Sequence, residues 1–133
     1  EAQSKNGLTA LMYASRFGNT DAAKILIEAG SDLNHRSKSG LTALISAAWY
    51  GHTETVKLLL AKGAEVNARD EEGRIALFHA ADGGYVEIVK AMLAKGADVT
   101  AKDKEGRTAI EVAEIRGHSQ IVKLLKEAAA ARK

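Results

Sequence analysis

Gly7-Leu-Thr-Ala-Leu11, Gly40-Leu-Thr-Ala-Leu44, Gly73-Arg-Ile-Ala-Leu77 and Gly106-Arg-Thr-Ala-Ile110 stand 33 residues apart along the chain. A second glycine series, Gly18, Gly51, Gly84 and Gly117, keeps the same interval, and a third, Gly30, Gly63 and Gly96, runs until Ala129 breaks it. A fixed period of this length means one supersecondary unit stacked on copies of itself. Within each unit the first glycine precedes a short helix. Thr9, Thr42 and Thr108 are placed to cap the free amides of its first turn, and Thr108-Ala-Ile-Glu111 fits a capping box. The second glycine series ends that helix where a residue without Cβ can turn left-handed. A second helix follows, with Val56, Leu59 and Leu60 in repeat two and Val86, Val89 and Leu93 in repeat three on one apolar stripe. The third glycine series stops it. Polar stretches such as Asn67-Ala-Arg-Asp-Glu-Glu-Gly73 then form a projecting hairpin turn. Helices of roughly 8–10 residues are not stable alone in water, so the units must bury their apolar faces against one another. Ala14, Ala47, Ala48, Ala80, Ala81 and Ala113 allow neighbouring helices to approach closely.

The reading predicts an all-α solenoid of four helix-turn-helix units. It forms a single domain over residues 1–133, with repeats at about 4–36, 37–69, 70–102 and 103–133. Composition narrows the function. Nineteen Lys and Arg against 17 Asp and Glu leave a net charge of +2. Residues 1–66 carry 7 basic and 6 acidic side chains and residues 67–133 carry 12 and 11, so each half is +1. No overall field selects nucleic acid or an anionic membrane. Without Cys there is no disulfide, thiolate metal site or cysteine nucleophile, which agrees with a cytoplasmic or other reducing compartment. No apolar stretch approaches the roughly 18–20 residues that span a bilayer, and the polar opening stretch Glu1-Ala-Gln-Ser-Lys-Asn-Gly7 does not read as a signal peptide.

The residues resemble the ankyrin repeat. Its consensus runs Asp-x-x-Gly-x-Thr-Pro-Leu-His-x-Ala-Ala, then Gly-His, a Leu-Leu run and Gly-Ala-Asp-Val-Asn. Gly51-His52, Val56-Lys-Leu-Leu-Leu60, Gly63-Ala-Glu-Val-Asn67, Gly96-Ala-Asp-Val99, Gly117-His118 and Ile121-Val-Lys-Leu-Leu125 carry the likeness over nearly the whole chain. The family proline is Ala at positions 10, 43, 76 and 109, and the family histidine is Met12, Ile45, Phe78 and Glu111. Ala still propagates a helix, so the fold survives these changes. Ile75 replaces the capping Thr in repeat three, at a cost of about 1 kcal/mol, and that helix start should fray.

Chemistry is sparse. His35, His52, His79 and His118 show no metal-ligand spacing, and His52 and His118 sit at the family's structural Gly-His position. No nucleophile elbow, phosphate loop or zinc-protease motif occurs, and Glu71 and Glu72 lie on a solvated turn. The chain therefore reads as a non-catalytic, monomeric module without cofactor or metal. The resemblance implies a concave face built from the hairpin tips and the ends of the first helices, with another protein as the partner. In register, that face takes Lys5, Asn6, Leu8, Arg16 and Phe17 from repeat one and Lys38, Ser39, Leu41, Trp49 and Tyr50 from repeat two. Repeat three gives Glu71, Glu72, Arg74 and Asp82, repeat four gives Lys104, Glu105, Arg107, Ile115 and Arg116, and Arg36, Arg69 and Lys102 precede hairpin tips. Phe17, Trp49 and Tyr50 stand where aromatic anchors act.

An alternative is stacking of a nucleotide or single strand on Trp49 and Tyr50 with Arg36 or Lys38 on phosphate, which near-neutral charge disfavours. Another is the ankyrin segment of a larger enzyme. Asn34 and Asn67 resemble ankyrin asparagines hydroxylated by an iron- and oxoglutarate-dependent dioxygenase, or else hydrogen-bond within their hairpins. Four repeats without insertion and the Ala-rich residues 128–131 suit an engineered or selected binder, whereas the differences among repeats point away from a consensus design. Repeat one opens without a polar cap, leaving Ala22, Ala23 and Ile25 less protected. Lys123, Lys126, Glu127 and Lys133 look like a solubilising end.

Overall fold

The structure, a computed structural model, describes residues 3, 5 and 7–131; Asn6 and Lys133 lie outside them. Among the described residues eight helices follow one another, two per repeat. They are α1 (Ala10–Arg16), α2 (Thr20–Glu28), α3 (Ala43–Trp49), α4 (Thr53–Ala61), α5 (Ala76–Gly83), α6 (Val86–Ala94), α7 (Ala109–Arg116) and α8 (Ser119–Ala131). The first helices pack side by side as one layer, α1 on α3 on α5 on α7, and the second helices form the other. The core is the seam between the layers. Leu11, Leu44, Leu77, Val56, Leu59, Val89, Ile121 and Leu125 are buried there, and Ala47, Ala48, Ala80, Ala81 and Ala113 are fully enclosed between helices. Each buried Leu or Val contributes about 1.5–3 kcal/mol. In repeat three the buried stripe is Ile88, Val89 and Met92, while Val86 and Leu93 pack on its margins. Residues 88, 89 and 92 share one face, and 86 and 93, seven residues apart, lie together at its edge beside 89.

Helix starts follow the hydroxyls. Thr9, Thr42 and Thr108 side chains accept from the amides of Met12, Ile45 and Glu111, and Thr108 and Glu111 complete the capping box. Ile75 makes no side-chain cap, but it is buried, so the position contributes packing instead of a hydrogen bond. Gly51 shows why glycine recurs after the first helix. Its φ is +75°, and a Cβ there would come within 2.7 Å of the Tyr85 ring of the next repeat.

Adjacent repeats are stitched by polar side chains reaching across the 33-residue step. His52 Nε2 donates to the Arg16 carbonyl at 2.8 Å, and His118 Nε2 donates to the Asp82 carbonyl at 3.1 Å. The asparagine side chains also bond to the next repeat, although the Asn34 backbone amide donates to Asp32 Oδ1 within its own turn. Asn34 Oδ1 accepts from the Glu65 amide at 2.9 Å, and Asn67 Oδ1 accepts from the Asp98 amide at 2.8 Å. Hairpins join too, through Glu71 N–H to Ser39 O and Lys104 N–H to Glu72 O, both 2.9 Å.

Repeat one packs on repeat two, α1 against α3 and α2 against α4. In α2 just Ala23 is buried and Ile25 is 65% exposed, whereas α4 buries Thr55, Val56, Leu59 and Leu60. Amide exchange should therefore be faster in residues 10–28 than in residues 41–95, because local opening is easiest where few apolar contacts must break. Equal protection in both segments would contradict this.

Candidate functional site

On the face formed by hairpins and first helices, repeats one and two enclose an apolar cleft. Leu8, Met12, Tyr13, Arg16, Leu41, Ser46, Trp49 and Tyr50 line a cavity of about 140 Å³. Of the residues expected on this face, Leu8, Arg16, Leu41, Trp49 and Tyr50 thus converge on one place. Phe17 lies at its edge, sharing a second hollow with Arg16, Tyr50 and His52. Lys38 lies at the opposite end, where Leu8, Leu41, Ser39 and Glu71 line a third.

Trp49 ends α3 and remains 46% exposed. One face of its indole stacks on the His79 ring, with centroids 4.3 Å apart and planes at 11°. Tyr50 follows at 6.3 Å and 17°, and the Arg16 guanidinium lies 5.3 Å from the Tyr50 centroid and 5.6 Å from that of Phe17. Beneath His79 the Phe78 ring stands edge-on at 6.0 Å, with Arg74 over it at 5.0 Å. Such offset-stacked, edge-on and cation–π pairs are individually modest but fix ring orientation when continuous.

The base of this ladder is a buried acid. Asp70 opens the third hairpin, and its Oδ1 accepts from the amides of Glu72 at 2.9 Å and Arg74 at 3.0 Å. Its Oδ2 lies 3.1 Å from His79 Nε2, with both side chains about 95% buried. Burial alone would raise the Asp70 carboxyl. The His79 hydrogen bond, the Arg74 amide, the charge of His79 and the Glu72 amide outweigh it, leaving the group below the ordinary aspartate value. An ionised carboxylate only accepts, so Nε2 carries the hydrogen. Asp103 repeats the arrangement one period on. Its Oδ1 takes the Glu105 and Arg107 amides, and its Oδ2 takes Arg74 Nε at 3.2 Å. Here too burial is outweighed, by the Arg107 amide, Arg74, the Glu105 amide and the Arg107 charge.

Among the remaining expected residues, Arg36, Arg69, Arg74 and Asp82 are engaged within the protein. The Arg36 guanidinium donates to the Arg69 carbonyl, and Arg69 Nη1 donates to the carbonyls of Gly73 and Lys102, at 3.2 and 2.8 Å. Arg74 is shared between Asp103 and Glu105, and Asp82 pairs with Arg116 at 2.7 Å. Sequence reasoning passed over His79 and Asp70. The signal for Asp70 and Asp103 was present, since Asp70-Glu-Glu-Gly73 and Asp103-Lys-Glu-Gly106 each match the consensus Asp-x-x-Gly. Nothing in the period announced His79, whose register equivalents are Tyr13, Ser46 and Val112.

Among the described residues no group of three or more His, Cys, Asp or Glu could hold a metal ion, and no helix is long and apolar enough to cross a membrane. Among curated proteins, none matches the chain. The family model for ankyrin repeats (3 copies) matches residues 1–70 and again residues 65–132. That coverage, on paired helices recurring every 33 residues, establishes that the chain belongs to the ankyrin repeat family.

Proposed function

We propose that this domain is a non-catalytic module that holds a partner protein on its concave face, with the cleft between repeats one and two as the centre of the contact. Ankyrin repeats generally serve protein–protein interaction. The observation that supports this place on the face is the half-exposed Trp49, stacked on a buried His79 beside an open apolar cleft. An aromatic side chain already held in one orientation loses little freedom on binding, and such residues dominate interface energetics. The charged half of the face is different. Arg74, Asp82 and Arg116 already satisfy one another or their neighbours, and rim charges chiefly tune association rate.

Affinity capture with the intact protein tests the reading, run in parallel with Trp49→Ala and Asp82→Ala and with thermal unfolding measured on each. A partner retained by the parent and by Asp82→Ala, and weakened roughly 30-fold by Trp49→Ala, is the expected result, since about 2 kcal/mol is ordinary for a central Trp. A partner indifferent to Trp49 but lost with Asp82→Ala would move the site to the charged half.

A further inference from the structure

From the charges around the cleft we infer that its partner presents an acidic segment with one bulky apolar side chain, the apolar group entering the cleft and a carboxylate meeting Arg16. This rests on the protein-binding reading of the concave face and specifies the chemistry of what binds there.

Three observations carry it. The first is continuity. The central cleft shares Arg16 and Tyr50 with the hollow at Phe17, and Leu8 and Leu41 with the hollow at Lys38. Together they form a groove along the seam between repeats one and two. A seven-residue helix such as α3 is about 10 Å long. A strand advances about 3.3 Å per residue, so an extended segment of about four to six residues covers the helix and its turn.

The second is size. A 140 Å³ space is close to the roughly 150 Å³ apolar cavity that accepts benzene. It takes one aromatic ring or one branched aliphatic side chain, and its apolar walls favour such an occupant over water.

The third is charge. Every described arginine except Arg16 donates to a carboxylate or a carbonyl of the protein. Among the described arginines Arg16 alone is held only by ring faces, those of Phe17 and Tyr50, with no described carboxylate paired with it. Asp82 and Arg116 show the contrast, because at the same face of repeats three and four they neutralise each other. In the first two repeats the described acids Asp21, Glu28 and Glu54 lie on the second helices, and Asp32 and Glu65 lie on the turns after them. The hairpin and first-helix side carries Lys5, Arg16, Arg36 and Lys38 instead. Glu71, at the Lys38 end, is the single carboxylate among the residues lining the groove. The two halves of an otherwise near-neutral chain thus present different faces, and the aromatic half is the cationic one. A guanidinium stacked on rings keeps its in-plane N–H groups free for bidentate bonding to a carboxylate.

Trp49 is the only Trp in the chain, so its fluorescence reports this site directly. The probes are three synthetic 12-residue peptides: a central Phe flanked by two acidic residues on each side, the same with Lys flanks, and the acidic version with Ala for Phe. The acidic Phe peptide should shift Trp49 emission and bind at least about 10-fold more tightly than either control, with affinity falling as salt screens the charges. Arg16→Glu should weaken it about 10-fold or more and should reverse the preference towards the Lys-flanked peptide; Arg16→Gln, which adds no repulsion, should lose only the acidic preference. Thermal unfolding of both variants separates binding from folding. Equal binding of Lys-flanked and acidic peptides, or of the Phe and Ala peptides, overturns the inference. If captured protein depends on Trp49 while none of the peptides binds, the inference fails and the protein-binding reading stands. If no captured protein depends on Trp49 either, both fall. Displacement of the acidic peptide by oligothymidylate, with quenching of Trp49, would assign the groove to single-stranded nucleic acid instead.

Discussion

Asp70→Ala should lower the unfolding free energy by about 3–5 kcal/mol, the range for removing one partner of a buried pair. The side chain is connected three ways, to the Glu72 and Arg74 amides that shape the hairpin and to His79 within the repeat. Removing it leaves His79 buried without its acceptor, and an unsatisfied buried donor costs more than a typical hydrogen bond returns. Urea unfolding gives the number, and Trp49 emission should shift at the same time because His79 is the surface on which the indole rests. The linkage with pH has a definite sign. Asp70 and Asp103 are both held below the ordinary value of 3.8 in the folded chain. Between that value and the lower folded one the unfolded chain binds more protons, so stability rises with pH in that window. The contribution is complete above the ordinary aspartate value and is lost as the pH falls through the folded one. Asp70→Asn should therefore be less stable than the parent at neutral pH and should lose less on acidification. An acid slope identical to the parent's would show that Asp70 is not part of this linkage.

The fold was legible because it is written in the period. Gly7, Gly40, Gly73 and Gly106 set the register, Thr9, Thr42 and Thr108 mark three of the first-helix starts, and the other two glycine series mark where helices stop. The candidate site was legible only in part. Position along the repeat was enough to bring Leu8, Arg16, Leu41, Trp49 and Tyr50 to one face. It could not show which charged residues on that face are already used. Asp82 meets Arg116 34 residues on, one step more than the period, and Arg74 meets Asp103 29 residues on, four steps fewer. Such offsets depend on how far one repeat slides and rotates against the next, which a one-dimensional register does not contain. His79 was hidden for a related reason. A histidine facing a core reads as out of place until the consensus acid at Asp70 is seen to lie 3.1 Å from it.

That dependence on neighbouring repeats also governs what a core deletion should do. Leu77 is fully buried in α5, which packs on α3 on one side and α7 on the other. Leu77→Ala removes buried methyl groups and leaves a cavity between close-packed helices that can relax only partly, a loss of about 3–5 kcal/mol. In a solenoid, stability is close to a sum of repeat and nearest-neighbour contributions, so the damage falls on the couplings that join repeat two to three and three to four. Against a total on the order of 5–15 kcal/mol for a domain of this size, the variant should no longer unfold as one unit. Trp49 in repeat two and far-ultraviolet circular dichroism over all four repeats would then give different midpoints, whereas they should coincide for the parent. Ile25→Ala supplies the comparison, because Ile25 is 65% exposed on α2 and its loss should cost within about 0.5 kcal/mol. A cost for Leu77→Ala no larger than that of Ile25→Ala would mean that α5 is not the packed centre of the stack.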